Sequence, residues 1–516
     1  MTGFSRRGAC PALSAPMQTG DGMLVRLNPL AGEITPKTLI GLCRSSARHG
    51  NGIVEVTARG SIQIRGLTAE SACLLAGEVD ALGIAVRTGV PVDTSPLAGI
   101  DPTEIADPAP LAAAIRAGIE VADLASRLGP KVSVVVDGRG RIGLGSIMGD
   151  IRLVAFSDWR WRLSVGGDES AARFVGEFET DEACAATLGI VHAVAALGRG
   201  GRGRDLDLEA VSAAIEGSER SRSFAPPSVL PDISPARGEI GSLAISACLA
   251  TLAMGEGTDE VVISPLAGEM SGRTEGDAKD RDLHAASFTA PAQAPDSYSE
   301  PTAPTDSSPI GILPLTGSRI ALGIALPFGS IDASTLIQFC HDAATAGATG
   351  IRPAPGRTLL VMGLDPASAD TLAANAKSLG LVTSPADPRI RIAACPGAPA
   401  CASGMIAARD VATDIATGLG ESLDPTLTLH VSGCAKGCAH HGPATLTIVG
   451  DEKGAAFVVG GTAKGLPAAY TAGYEAARGM GRLTKLLAQE RKPDENAAAC
   501  LARLGAKRLA QALAQE

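Results

Sequence analysis

"MLVRLNPLAGEITPKTLIGLCRSSARHGNGIVEVTARGSIQIRGL", residues 23–67, reads as strand, helix and strand, and a second version of it returns later in the chain. That version is "ALGIALPFGSIDASTLIQFCHDAATAGATGIRPAPGRTLLVMGL", residues 321–364. Ile34 aligns with Ile331, Thr38-Leu39 with Thr335-Leu336, Cys43 with Cys340, and Gly66-Leu67 with Gly363-Leu364. The match runs on to Leu82-Gly83 against Leu379-Gly380. Thr35 and Asp332 stand where an N-cap is needed, because their side-chain oxygens can accept from N–H groups that a first helical turn leaves free. Leu39, Leu42 and Cys43 then share one helical face, as do Leu336, Phe339 and Cys340. Each copy predicts a strand–helix–strand unit followed by a second helix, an α+β half-unit of ferredoxin-like type. Duplication of that half-unit predicts a pseudo-two-fold molecule.

Around the repeat, residues 1–97 are expected to hold half-unit 1 and 98–262 a first α/β domain. Residues 263–314 are expected to be a flexible linker. Their central part, 271–309, is rich in Pro, Ser, Thr, Ala and Asp and lacks apolar periodicity. Half-unit 2 is expected over 315–388. A second α/β domain follows over 389–516, ending in helices that pack on its outside. Aromatics make up 3% of the chain, so its cores must come from Ala, Val, Leu and Ile. A net charge of −10 argues against a general nucleic-acid or membrane-surface binder. No apolar run is long enough to span a bilayer. The Arg6-Arg7 pair has no apolar segment behind it to make an export signal, which predicts a cytoplasmic protein.

The copies differ in charge. Arg59, Ser61, Gln63 and Arg65 alternate in "TARGSIQIRG" and would share one strand face, with Arg26 and Asn28 on the strand before. Such a face suits a ligand bearing several carboxylates, which arginine binds bidentately; a solvated outer face is the competing reading. The matching positions of copy two, Gly356, Thr358, Leu360 and Met362, carry no charge. One active site across the pseudo-dyad explains this better than two.

Of eleven cysteines, Cys10, Cys43, Cys73, Cys184, Cys248, Cys340 and Cys500 are scattered and read as small buried hydrophobes. Cys395 and Cys401 form C-x5-C in "CPGAPACASG", and Cys434 and Cys438 form C-x3-C in "HVSGCAKGCAHHG". Two short pairs in a reducing compartment signal a metal site. Zinc prefers tighter pairs, so this spacing favours a [4Fe–4S] cubane over zinc, and unligated thiols least. Gly397, Gly404, Gly433 and Gly437 would allow close backbone approach to such a cluster.

The cysteine pattern, the duplication and the "TARGSIQIRG" strand together resemble the sirohaem-type sulfite and nitrite reductases. That resemblance implies Cys395, Cys401, Cys434 and Cys438 as ligands of a [4Fe–4S] cluster, with Cys438 nearest the tetrapyrrole. It also implies a basic group over the macrocycle, which this chain keeps in part. Arg59 and Lys131 match two of its members, whereas Ser133 and Val90 replace two others and Arg87 lies out of register. "RRGACPALSAPMQTGDG", "SPLAGID", "VVVDGRGRIGLGSIMGDIRLVA" and the two cysteine segments are similar to the precorrin-3B synthases, an oxygenase branch of the superfamily. This implies oxygen-dependent C20 hydroxylation of precorrin-3A, with lactone formation by the ring A acetate. Arg59 and Lys131 would then be catalytic, and Arg26, Arg59, Gln63, Arg65 and Lys131 would bind substrate.

Implied partners are a tetrapyrrole, molecular oxygen and an external donor, either a reductase or a ferredoxin, NADH-linked, and a non-haem iron is implied beside the cluster. His49, His341, His430, His440 and His441 are available to that iron, without a clear ligand triad among them. The alternatives are a sirohaem-dependent sulfite or nitrite reductase, and a non-catalytic tetrapyrrole-binding protein with a structural cluster. "LGRGGRGRDLD", 197–207, reads as a basic surface loop and not a phosphate loop, since GK[ST] is missing. Trp159 and Trp161 are expected on one strand face, with Arg160 and Arg162 on the other.

Overall fold

Both expected helix starts are built as their sequence requires. Thr38 N donates to Thr35 Oγ1 at 3.1 Å, and Thr335 N donates to Asp332 Oδ1 at 3.0 Å. The helices they open, Pro36–His49 and Ala333–Thr345, pack face to face at the centre of the molecule. The computed structural model describes residues 11–30, 32–207, 209, 211, 233–234, 239–240, 308–420, 423–424 and 426–514. Most of the expected linker, through residue 307, therefore lies outside the described residues, as do Cys10 and Cys248. Among the described residues no helix is long and apolar enough to cross a membrane.

Two sheets carry the repeat. The first runs Met17–Thr19, Gly22–Leu27, Ile62–Leu67, Ile53–Val56 and Ser330–Asp332; the second runs Gly311–Pro314, Ile320–Ala325, Thr358–Leu364 and Gly350–Ala354. The edge strand Ser330–Asp332 is borrowed from copy two, with Ile331 opposite Val54. Its counterpart is the bridge between Ile34 of copy one and Ile351 of copy two, bonded in both directions at 3.0 and 2.8 Å. One sequence offset relates Ile34 to Ile331 and Val54 to Ile351, so the two contacts are equivalent under the pseudo-dyad. Leu39, Leu42 and Cys43 join Leu336, Phe339 and Cys340 in a single continuous core. Burying each large side chain contributes about 1.5–3 kcal/mol, so separating the copies would be costly.

The sequence reading needs correction in several places. "IVEVTARGSIQIRGL" is a hairpin and not one strand, because Gly60, at φ +81°, turns the chain between Val56 and Ile62. Arg59 thus sits in the turn rather than on a strand face. Gly311–Pro314, placed within the linker by composition, pairs with Ile320–Ala325. Only Trp161 is buried and shares the Arg160–Gly167 strand; Trp159 precedes that strand and is half exposed. Cys73 is exposed, not buried. The C-terminal helices Ala476–Glu490 and Ala497–Ala514 contribute Met480, Leu483, Cys500 and Leu501 to a core instead of only covering it.

The α/β segments repeat as well. One sheet orders Val92–Asp93, Val134–Asp137, Gly149–Ala155, Arg160–Gly167 and Arg173–Glu179; the other orders Ile392–Ala394, Leu429–Ser432, Ala444–Asp451, Gly454–Gly461 and Ala469–Thr471. In both, the first three strands are parallel and the rest antiparallel. Cys395 follows the first strand of the second sheet directly, and Cys434 follows the second after Gly433. They therefore stand at carboxyl ends of parallel strands, where open α/β sheets present their ligand sites. The loop at 197–207 is pinned down by Arg202, which donates to both oxygens of buried Asp150 at 2.7 and 2.8 Å.

Candidate functional site

The two cysteine loops interlock through glycine. A β-carbon on Gly433 would lie 2.8 Å from Gly397 Cα and 3.3 Å from Gly404 Cα, and one on Gly404 would lie 2.6 Å from the Gly397 carbonyl carbon. These three glycines permit loop-on-loop contact, a more local role than the expected approach to a cluster. Met405 N donates to Gly433 O at 2.7 Å, and Lys436 Nζ donates to Ser403 Oγ at 2.6 Å, so both loops are also cross-bonded. Gly433 N donates to Cys395 Sγ at 3.1 Å. All four thiols share one electrostatic neighbourhood. Burial first, then Cys395, Cys434 and Cys401, push the Cys438 thiol above its ordinary value, and Lys436 opposes them.

Half-unit 1 grips this region from one side. Arg65, 4% exposed, donates to both oxygens of Asp21 at 3.0 and 2.9 Å and to Ala400 O, between Cys395 and Cys401, at 2.7 Å. Burial tends to raise Asp21, but hydrogen bonds from Arg65 and Thr19 outweigh it and hold the carboxyl below its usual range. Glu55, also buried, accepts from Gln63 and from Arg409 of helix Ala408–Leu419, the latter at 2.5 Å. Arg26 Nε donates to Gln63 Oε1 at 2.8 Å. The expected substrate face of Gln63 and Arg65 is therefore occupied by protein. It docks the half-unit on the cysteine domain, since a buried guanidinium between two carboxylates has its charge already answered.

Half-unit 2 grips the other loop. Arg357 Nη2 donates to Ala439 O, next to Cys438, at 2.7 Å. Arg357, Arg409, Asp21 and Glu55 were not singled out from the sequence. The one visible signal for Arg357 is that "PGRT" and "ARGS" both place an arginine in the hairpin turn.

Arg59 and Lys131 both act electrostatically on His441, three residues past Cys438. Arg59 donates to Asp93 Oδ2 at 3.3 Å and to Met148 O. Partial burial, then His440, Arg59 and Lys131, lower the pKa of His441. Burial raises that of Asp93, and Arg59, Arg87 and Arg116 oppose it. Ser133 is buried, and Val90, partly buried, packs against the core of the first α/β segment. His430 is fully buried with neither ring nitrogen bonded; burial, then His440, Arg357 and His441, push it down to about 4. His49 is instead bonded to Glu78 at 2.9 Å, and His341 is exposed on its helix. No three His, Cys, Asp or Glu side chains among the described residues are gathered closely enough for a single ion. Hollows of 360 and 220 Å³ flank Phe328, but Arg59, Lys131 and the site cysteines line neither.

Residues 15–82 match the nitrite/sulfite reductase ferredoxin-like half domain. The NirA protein of Mycobacterium tuberculosis is similar in fold, with a TM-score of 0.61 and 17% identity, covering 94% of this chain and 84% of that one. A precorrin-3B synthase from Sinorhizobium sp. is 36% identical over 513 residues, 99% of this chain and 95% of that protein. The chain belongs to the precorrin-3B synthase family. Within this family assignment the α+β duplicated architecture is that of the nitrite and sulfite reductases. Four cysteines on two interlocked loops, with Cys395 Sγ already accepting a backbone N–H, are a donor set whose chemistry fits a [4Fe–4S] cluster.

Proposed function

We propose that the chain converts precorrin-3A to precorrin-3B, using molecular oxygen and an external electron donor in the cytoplasm. The observation that carries this reading is full-length kinship, at 36% identity, to a precorrin-3B synthase. One oxygen atom enters at C20 and the ring A acetate closes a lactone. The second oxygen leaves as water, with two electrons and two protons supplied. Cys395, Cys401, Cys434 and Cys438 would hold a [4Fe–4S] cluster, which supplies one-electron transfer when bound.

The remaining work falls to the basic residues. Arg59 and Lys131, which act on His441, and Arg87, which acts with Arg59 on Asp93, would bind and orient the carboxylates of a tetrapyrrole. Arg59 is fixed by Asp93 and Met148 O, which keeps its fork aimed while part of it stays exposed. Burial first, then His440, Arg59 and Lys131, lower the proton affinity of His441, so its ring would stay neutral and serve as a hydrogen-bonding group toward substrate. Arg26, Gln63 and Arg65 support the loop from behind and do not touch substrate.

The test is anaerobic purification followed by metal analysis, visible spectroscopy and turnover of precorrin-3A with a competent donor. Cluster absorption, no haem band and oxygen-dependent product are expected. Extracted sirohaem with sulfite or nitrite reduction would favour the reductase alternative instead. Cluster without turnover would favour a binding protein.

A further inference from the structure

The turn Pro355–Arg357 has a feature that its own fold does not require. Arg357 adopts φ +65°, the left-handed region where a side chain is disfavoured and glycine is at ease. The aligned position of copy one is Gly60, at φ +81°. The two turns meet at the pseudo-dyad: Gly356 N donates to Ala58 O at 3.0 Å, and a β-carbon on Gly60 would lie 2.8 Å from the Ala354 carbonyl carbon. The arginine stem also needs room. Gly329 leaves it, since a β-carbon there would lie 2.6 Å from Arg357 Cδ. Among the described residues no carboxylate pairs with this guanidinium; its bonded partner is Ala439 O at 2.7 Å.

We propose that Arg357 is a positioning residue for the thiolate site, holding the Cys434–Cys438 loop through Ala439 O and facing it with an unpaired positive charge. Arg65, its charge answered by Asp21 and Glu55, holds the Cys395–Cys401 loop through Ala400 O, so each copy of the repeat secures one cysteine pair. A guanidinium with no carboxylate partner is costly to keep partly buried. A thiolate-bound cluster carries net negative charge, and a nearby cation offsets that cost while favouring reduction. This inference rests on the [4Fe–4S] reading given above.

Arg357 makes the cleaner test, because removing Arg65 would leave Asp21 and Glu55 short of a counter-charge. Full-length wild type, Arg357→Met and Arg357→Lys would be reconstituted anaerobically with ferrous iron and sulfide. Iron and sulfide content, the rate of iron loss to a chelator, the midpoint potential and the melt of the apoprotein would be measured. Arg357→Met should melt close to wild type, lose iron about ten-fold faster, and shift its midpoint negative. Arg357→Lys should recover the midpoint but only part of the retention, since an ammonium has no fork. Wild-type retention and midpoint in Arg357→Met would overturn the proposal. If Arg357→Met does not fold, Arg357→Lys decides: faster iron loss supports the proposal and unchanged loss overturns it. A wild-type chain that takes up no cluster would sink the cluster reading itself, and this inference with it.

Discussion

Replacing Arg65 with Met tests whether the strand face of half-unit 1 is a docking surface or a substrate surface. The side chains of Arg65, Asp21 and Glu55 are 5%, 17% and 5% exposed, so their pairing belongs to the buried class. Removing one partner of a buried pair costs about 3–5 kcal/mol, against roughly 0–1 for an exposed pair. Glu55 keeps Arg409 and Gln63, and Asp21 keeps Thr19 and Asn51, which puts the expected loss at the lower end, about 3 kcal/mol. At 1.4 kcal/mol per decade this is about a hundred-fold rise in the opening constant of the loop that Arg65 holds. Hydrogen exchange would read it at Ala398, Cys401 and Gly404, whose N–H groups are bonded at 2.9, 2.8 and 2.8 Å within that loop. The effect should depend on pH. Asp21 is depressed in the fold, so its contribution is complete above the ordinary 3.8 and is lost as pH falls through the lower folded value. Wild type and variant should therefore converge in acid. A change below about five-fold at neutral pH would refute the buried pairing, because that is the range of an exposed ion pair.

Phe339→Ala, at a fully buried site shared by both copies, should cost about 3–5 kcal/mol in urea unfolding and weaken both half-units together. Glu104→Gln should raise stability at alkaline pH and change little in acid, as followed by thermal melts across pH. Burial first, with Asp101, Asp107 and Asp137 adding to it and Gly99 N–H opposing, lifts that carboxyl from 4.5 to about 8, so wild type loses stability between those values as pH rises. Gly433→Ala should prevent closure of the two cysteine loops and reduce iron uptake on reconstitution, because its β-carbon would meet Gly397 backbone. Arg59→Ala should weaken tetrapyrrole binding by about ten- to a hundred-fold in a fluorescence titration, as expected for one charge-assisted hydrogen bond.

The duplication was legible because periodicity and caps act locally: Thr35, Asp332 and the Leu39 and Leu336 faces need no tertiary information. The meeting of the two cysteine segments was legible because each pair is short in sequence, and the two loops do interlock. The use of Arg65 was not. Its alternation with Gln63 is the same for a substrate face and for a buried docking face, and only the approach of Asp21 and Ala400 distinguishes them. The hairpin at Gly60 was hidden because the apolar residues on both sides keep the strand period. Arg357 was hidden by an alignment that set Gly356 against Arg59 when both turns carry an arginine. Nothing in the sequence set His430 apart from the other histidines as buried; its ring stands edge-on to His440, 5.7 Å between centroids, and its nitrogens have no hydrogen-bond partner among the described residues.

Whether a fold built like a reductase inserts oxygen is decided by the mass of the tetrapyrrole product after turnover of precorrin-3A by the reconstituted full-length protein under isotopically heavy dioxygen. The product should gain one heavy oxygen atom, and none should form when the gas is withheld. Label arriving from water, or the same product forming without oxygen, would rule oxygen insertion out.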